Sequence, residues 1–158
     1  MGEIFGAVDS IRAGLADLAA QKSVYMRVID LWRLAETQAI AAAIDDAIVT
    51  VEQALKAEPH NPPALRLRGE LRLLRDAGGA ARFELAEKDF RKAIKIARTI
   101  SAKSWELRAT TCLARLLRDT NRRAEARAML ADIYNWFTEG FDTADLKDAK
   151  ALLDELTT

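Results

Sequence analysis

Few residues in this 158-residue chain are of a type that could do chemistry, and each sits in a sequence context that points to a plainer role. The single histidine, His60, lies in Glu58-Pro59-His60-Asn61-Pro62-Pro63 with no acid, cysteine or second histidine at ligand spacing. It reads as an exposed residue of a turn between helices. The single cysteine, Cys112, stands beside Leu113 and Leu116 on an apolar helical stretch, where a buried, inert thiol is expected. Asp45 and Asp46 are consecutive helical positions that point about 100° apart, and Asp142 with Asp145 reads as a helix cap. No phosphate-binding G-x-x-x-x-G-K-[ST] loop, nucleophile–base pair or metal-ligand cluster is visible. The chain is therefore expected not to be an enzyme and to need no cofactor or metal.

The arginines are more suggestive. Arg108, Arg115 and Arg118 are separated by seven and three positions, close to one helix face. Guanidinium forks on one face suit the carboxylates of an acidic segment. The plainer alternative is a solvated face with ion pairs to Glu106, Asp119 or neighbouring elements.

The rest of the composition bounds what these residues can serve. Lysine plus arginine equals aspartate plus glutamate at 24 each, so no net field draws the chain to nucleic acid or an anionic membrane. One cysteine excludes an internal disulfide and fits a reducing compartment, with cytoplasm the default. No stretch approaches 18 uncharged apolar residues, and Glu3, Asp9, Arg12 and Asp17 interrupt the run a signal peptide needs. A chain of this length removes roughly 68–70% of its unfolded surface from water, enough for one domain with its own core.

Apolar positions recur at three and four throughout and strand signals are nearly lacking, which predicts an all-α chain. Ile4, Val8, Ile11, Leu15 and Leu18 form one stripe over residues 1–22, a covering helix, with Ser23 placed to cap the next helix. Three triplets then repeat the order small, bulky, small at offsets of four and three: Ala47, Val51, Ala54; Ala86, Phe90, Ala93; and Ala126, Leu130, with Ile133 in the last small position. Small residues let two helix backbones approach while the bulky one fills the hole between them. Pro59 follows the first triplet. Leu65 and Gly69 stand where the next helix should place a bulky and a small residue, and Leu113 and Ala114 agree for the last.

This pattern resembles the tetratricopeptide repeat, with repeats over 28–61, 62–100 and 107–140 and a capping helix over 142–156. The triplets are spaced by 39 and 40 residues rather than the nominal 34, so insertions are expected near Ala77–Arg82 and near Ser101–Ser104. The turn of the first repeat falls in Ala39–Ala43, which has no glycine or proline, so one long helix is an alternative there. At the other end Gly140 supplies a stop, and Asp142 can cap a helix bearing Leu146, Leu152, Leu153 and Leu156.

The segments Ser104-Trp105-Glu106-Leu107-Arg108-Ala109, Leu113-Ala114-Arg115-Leu116, Arg122-Arg123-Ala124-Glu125-Ala126-Arg127 and Trp136 through Leu146 resemble the C-terminal repeat region of large bacterial signalling proteins. In those, such repeats follow a cyclase or DNA-binding effector and a nucleotide-hydrolysing module, whose motifs this chain lacks. The resemblance implies a helper or regulatory module. It also implies that the first helix of each hairpin lines a concave groove through its second, fifth, ninth and twelfth positions. Those positions give Trp32 and Glu36, then Arg66 and Glu70, then Arg108, Thr111, Arg115 and Arg118. The lysine and asparagine with which chaperone-binding members clamp a terminal carboxylate are not at their positions. Arg68 and Arg72 stand where the family is usually apolar. The aromatics Trp105, Tyr134, Trp136 and Phe137 read as packing near a helix end.

The function expected is scaffolding: a groove holding a protein or peptide segment, an acidic one if the arginine stripe is the working surface. Two alternatives belong to other classes, a small-molecule sensor with an enclosed pocket and a homo-oligomerisation device using the free side of Met1–Ala20.

Overall fold

The computed structural model describes residues 28–75 and 79–157. The expected helix over 1–22, the Ser23 cap of the helix that follows it, and residues 76–78 lie outside those residues. The described chain is helical, with no strand. A first helix, α1, is described over 28–40. It is followed by α2 (Ile44–Ala57), α3 (Pro62–Leu74), α4 (Ala81–Thr99), α5 (Lys103–Asp119), α6 (Arg123–Tyr134) and α7 (Ala144–Thr157).

The alanine run at 39–43 does not continue as one helix. Ala42 adopts φ 60°, and the N–H of Ala43 reaches back to Gln38 O at 2.9 Å. The same closure ends α4, where Ser101 has φ 56° and Ala102 N–H bonds Ala97 O at 2.9 Å, and α5, where Asn121 has φ 63° and Arg122 N–H bonds Leu117 O at 2.7 Å. A left-handed non-glycine residue costs about 1–2 kcal/mol. The strain is offset because folding back buries Ala35 against Ala47 and the rest of the core. At the start of α3 the local chemistry is more conventional: Asn61 Oδ1 accepts from Ala64 N–H at 3.0 Å, and Pro62 and Pro63 occupy first-turn positions whose N–H groups need no partner.

From α2 on each helix packs on the next, α3, α5 and α7 also touch in order, and Glu36 of α1 bonds Arg66 of α3 at 2.8 Å. The odd-numbered helices thus form one layer and the even-numbered ones the other. All three triplets lie in the core, and Phe90 presses onto Gly69, where a Cβ would stand 2.5 Å from the ring. The residues in excess of the nominal repeat are held largely within lengthened helices. At 19 residues α4 is the longest of the described helices, and α5 starts at Lys103, ahead of Leu107, so that only Ile100–Ala102 separate the two. Ala81 and Arg82 likewise belong to α4 rather than to a loop.

Arg68 and Arg72 do not face the groove. Both reach Asp89 of α4 at 2.6 Å, and the Asp89 side chain is only 4% exposed. An ion triad stands at these two positions, beside the apolar contact of Phe90 on Gly69. On the even-numbered layer, Arg91 and Arg122 each bond both Glu87 and Glu125 at 2.7–2.8 Å, tying α4 to α6. The last helix begins at Ala144, with Thr143 rather than Asp142 at its cap: the Thr143 carbonyl accepts from Lys147 N–H at 3.0 Å, and its hydroxyl donates to Gly140 O at 2.7 Å. Leu146, Ala149, Leu152 and Leu156 bury one face of α7.

Candidate interaction groove

Because side chains at every third and fourth helical position share a face, the layer of odd helices presents a continuous row. Glu36 comes from α1, Arg66 and Glu70 from α3, Arg108 to Arg115 from α5, and Asp145 and Asp148 from α7. Seven of the groove residues line an open cavity of about 210 Å3: Glu36, Arg66, Arg108, Thr111, Cys112, Asp145 and Asp148. Four of the eight residues expected from sequence, Glu36, Arg66, Arg108 and Thr111, therefore meet there.

The remaining four are placed differently. Glu70 lies behind Arg66, bonded to it at 2.6 Å and accepting from Cys112 Sγ at 2.8 Å. Trp32 lines an adjoining cleft. Arg115 borders the cavity through its bond to Asp148, while Arg118 sits further along and bonds Asp119 at 2.8 Å and Glu155 at 2.9 Å. The Thr111 hydroxyl is committed to Leu107 O at 2.9 Å.

The arginine stripe is ion-paired along its length. Arg108 donates to Asp145 at 2.7 Å, Arg115 to Asp148 and Arg118 to Glu155, each partner standing on α7. Glu106, one sequence candidate for pairing with the stripe, points elsewhere. It is 2% exposed and bonded to Arg98 at 2.6 Å and Lys103 at 2.8 Å. Asp145 and Asp148 are not among the groove residues expected from sequence, where α7 reads as a cover. Their offsets of 37 and 33 from Arg108 and Arg115 are near one repeat length, a signal that α7 also serves as the next wall of the groove.

Charge at the groove centre is set by these contacts. Burial works against the Arg66 cation, but the Glu70 and Glu36 carboxylates outweigh it and hold its pKa above the ordinary arginine value. Burial pushes the Cys112 thiol well up, with the Glu70 charge adding to it, so the sulfur stays protonated and donates to Glu70. Hydrogen bonding to Asp119 raises Arg118.

Beside the cavity a cleft of about 660 Å3 opens, lined among others by Ile29, Trp32, Pro62, Pro63, Ile100 and Trp105, with exposed His60 at its edge. Trp105, expected to be packing, is half-buried and forms part of this wall. A smaller passage lined by Trp32, Pro62, Pro63, Arg66, Trp105 and Arg108 shares Arg66 and Arg108 with the central cavity. Tyr134 stacks near Phe141 at 5.7 Å and Phe137 meets Trp136 edge-on at 5.2 Å, but Trp136 itself is 57% exposed rather than buried. Among the described residues no group of three or more His, Cys, Asp or Glu is placed to hold a metal ion, and no helix is long and apolar enough to cross a membrane.

Solved structures share this architecture. The first tetratricopeptide domain of Spaghetti (RPAP3), bound to the HSP90 peptide SRMEEVD, aligns with a TM-score of 0.63 at 17% identity over 84% of this chain and 91% of its own. The Yersinia enterocolitica type III secretion translocator chaperone SycD gives 0.64 at 15% identity, over 82% of this chain and 83% of its own. The Arabidopsis OM64 tetratricopeptide domain gives 0.62 at 18% identity, over 82% and 93%. The fold is that of a tetratricopeptide array. No family model matches the chain, and no curated protein does. In tetratricopeptide terms, α1–α2, α3–α4 and α5–α6 are hairpins, and α7 occupies the place of a further first helix.

Proposed function

We propose that this chain is a non-catalytic interaction module that holds a segment of a partner protein in the groove of its odd-numbered helices. The observation that carries this reading is the row of polar and charged side chains from the four odd-numbered helices that lines one open cavity. An open groove of this kind suits an extended or helical segment. The neighbours support it by analogy, since one was solved with a peptide bound and another is a chaperone of translocator proteins. We further propose a place in bacterial signalling or regulation, on the strength of the segments between Ser104 and Leu146 that resemble the repeat regions of such proteins.

The test is site-specific cross-linking. A photo-activated residue replaces Arg108, in the groove, or Val49, exposed on α2 of the other layer. In extracts of the native cell, position 108 should trap a defined partner and position 49 should not. Equal trapping at both positions, or none at 108, contradicts the proposal.

A further inference from the structure

The arginines of the groove suggest an acidic partner when read alone, but their contacts reverse the sign. Arg66, Arg108, Arg115 and Arg118 face six carboxylates: Arg66 bonds Glu36 and Glu70, Arg108 bonds Asp145, Arg115 bonds Asp148, and Arg118 bonds Asp119 and Glu155. Every guanidinium in the row is already neutralised, and two negative charges remain. An incoming carboxylate would have to displace one of these.

One of the two surplus charges belongs to the central cavity, where Arg66, Arg108 and Arg115 meet Glu36, Glu70, Asp145 and Asp148; the other belongs to Arg118 with Asp119 and Glu155. Each of Glu36, Asp145 and Asp148 bonds its arginine through a single oxygen, Oε1, Oδ2 and Oδ1 respectively, which leaves the second oxygen of each to accept a further bond. Their side chains remain about one-third to one-half exposed. A carboxylate accepts at both oxygens, and a lysine ammonium carries three donors on a long flexible stem. The three carboxylates are not grouped closely enough to hold a bare metal ion. A side-chain cation needs no such cluster, since it can bond one or two of these oxygens at a time.

The small passage shares Arg66 and Arg108 with the cavity and Trp32, Pro62, Pro63 and Trp105 with the cleft beside it, whose charged rim residues Arg33 and Glu58 balance each other. Rigid aromatic and proline faces there suit one bulky apolar side chain.

We infer that the segment held in the groove is basic and amphipathic: a lysine or arginine enters the cavity of Glu36, Asp145 and Asp148, and a neighbouring apolar side chain fills the Trp32–Trp105 cleft. This rests on the groove reading above.

The probe is a displayed library of random peptides selected against the full chain. Enriched sequences should pair a basic residue with an aromatic or branched aliphatic one. A resynthesised winner should bind at least tenfold more weakly to the double variant Glu36→Gln, Asp148→Asn and to Trp105→Ala, and should weaken with salt. It should bind unchanged to Glu87→Gln, Glu125→Gln on the other layer, which controls for unspecific attraction to carboxylates. Melting curves check that the groove variants fold, and Trp105→Tyr replaces Trp105→Ala should the latter not. Enrichment of acidic sequences that still compete at Arg108 overturns the inference and leaves the groove reading standing. Winners indifferent to the groove variants, or no winners, overturn both.

Discussion

The close approach of α3 and α4 at Gly69 makes a prediction whose sign depends on one ring. A Cβ on residue 69 would lie 2.5 Å from Phe90 Cε1 and 2.9 Å from Cδ1 and Cζ, far inside the about 3.5–4.0 Å of carbon–carbon contact. Phe90 is fully buried, so the ring has little room to retreat. Overpacking of this kind costs about 1–3 kcal/mol, and alanine in a helix interior returns about 1 kcal/mol relative to glycine. Gly69→Ala should thus destabilise the protein by up to about 2 kcal/mol net. Phe90→Ala alone should cost about 3–5 kcal/mol. With the ring gone the clash is gone too, so Gly69→Ala made in the Phe90→Ala background should stabilise by about 0.5–1 kcal/mol. The assay is urea unfolding of the four proteins followed by helical circular dichroism, with the coupling read from the cycle. If Gly69→Ala has the same sign and size in both backgrounds, the packing of α3 on α4 through these two residues is wrong.

Three further outcomes concern the ion pairs. Asp89→Ala leaves Arg68 and Arg72 facing each other without their shared carboxylate; both arginines still reach solvent, so the loss should be about 2–4 kcal/mol by denaturant unfolding, and a loss under about 0.5 kcal/mol would remove the triad from the account. Arg118→Ala breaks only exposed pairs with Asp119 and Glu155 and should change stability by less than about 1 kcal/mol in the same assay. Burial pushes the Glu106 carboxyl up, but bonds from Lys103 and Arg98 outweigh it and hold the folded pKa below the ordinary glutamate value. A folded pKa below the unfolded one gives stability that is present above about pH 4.3 and is lost as pH falls through the folded value. Unfolding free energies measured from pH 7 downward should decline more gently for Glu106→Gln than for the wild type, and identical slopes would contradict this.

The hairpin array is readable from sequence because the small-bulky-small triplets repeat a packing requirement that few other patterns satisfy; Val51, Phe90 and Leu130 all lie at the centre of the core. The turns are less legible. Three helix ends rely on Ala42, Ser101 and Asn121 in a left-handed conformation, and only the last belongs to a residue type that favours it. Tertiary packing, not local preference, selects those breaks. The groove is partly legible: the tetratricopeptide resemblance assigns Glu36, Arg66, Arg108 and Thr111, from three helices, to its lining, and these four line one cavity. Beyond the repeat-length offsets to Asp145 and Asp148, nothing in the sequence says which carboxylates of α7 meet which arginines, and that pairing and the cleft of Trp32 and Trp105 emerge from the folded arrangement. Arg68 and Arg72 look anomalous in sequence until Asp89, the one acid in the buried stripe of α4, is set opposite them.

The groove itself is tested most directly by side-chain NMR of the arginine Nε–H groups of the unsubstituted chain, recorded with and without the partner segment that cross-linking identifies. Arg66 and Arg108 line the cavity, whereas Arg91 and Arg122 lie in the ion network of the other layer. Binding in the groove predicts that the signals of Arg66 and Arg108 shift on saturation while those of Arg91 and Arg122 stay in place. Shifts confined to Arg91 and Arg122 would contradict the claim that this chain works through its odd-numbered helices.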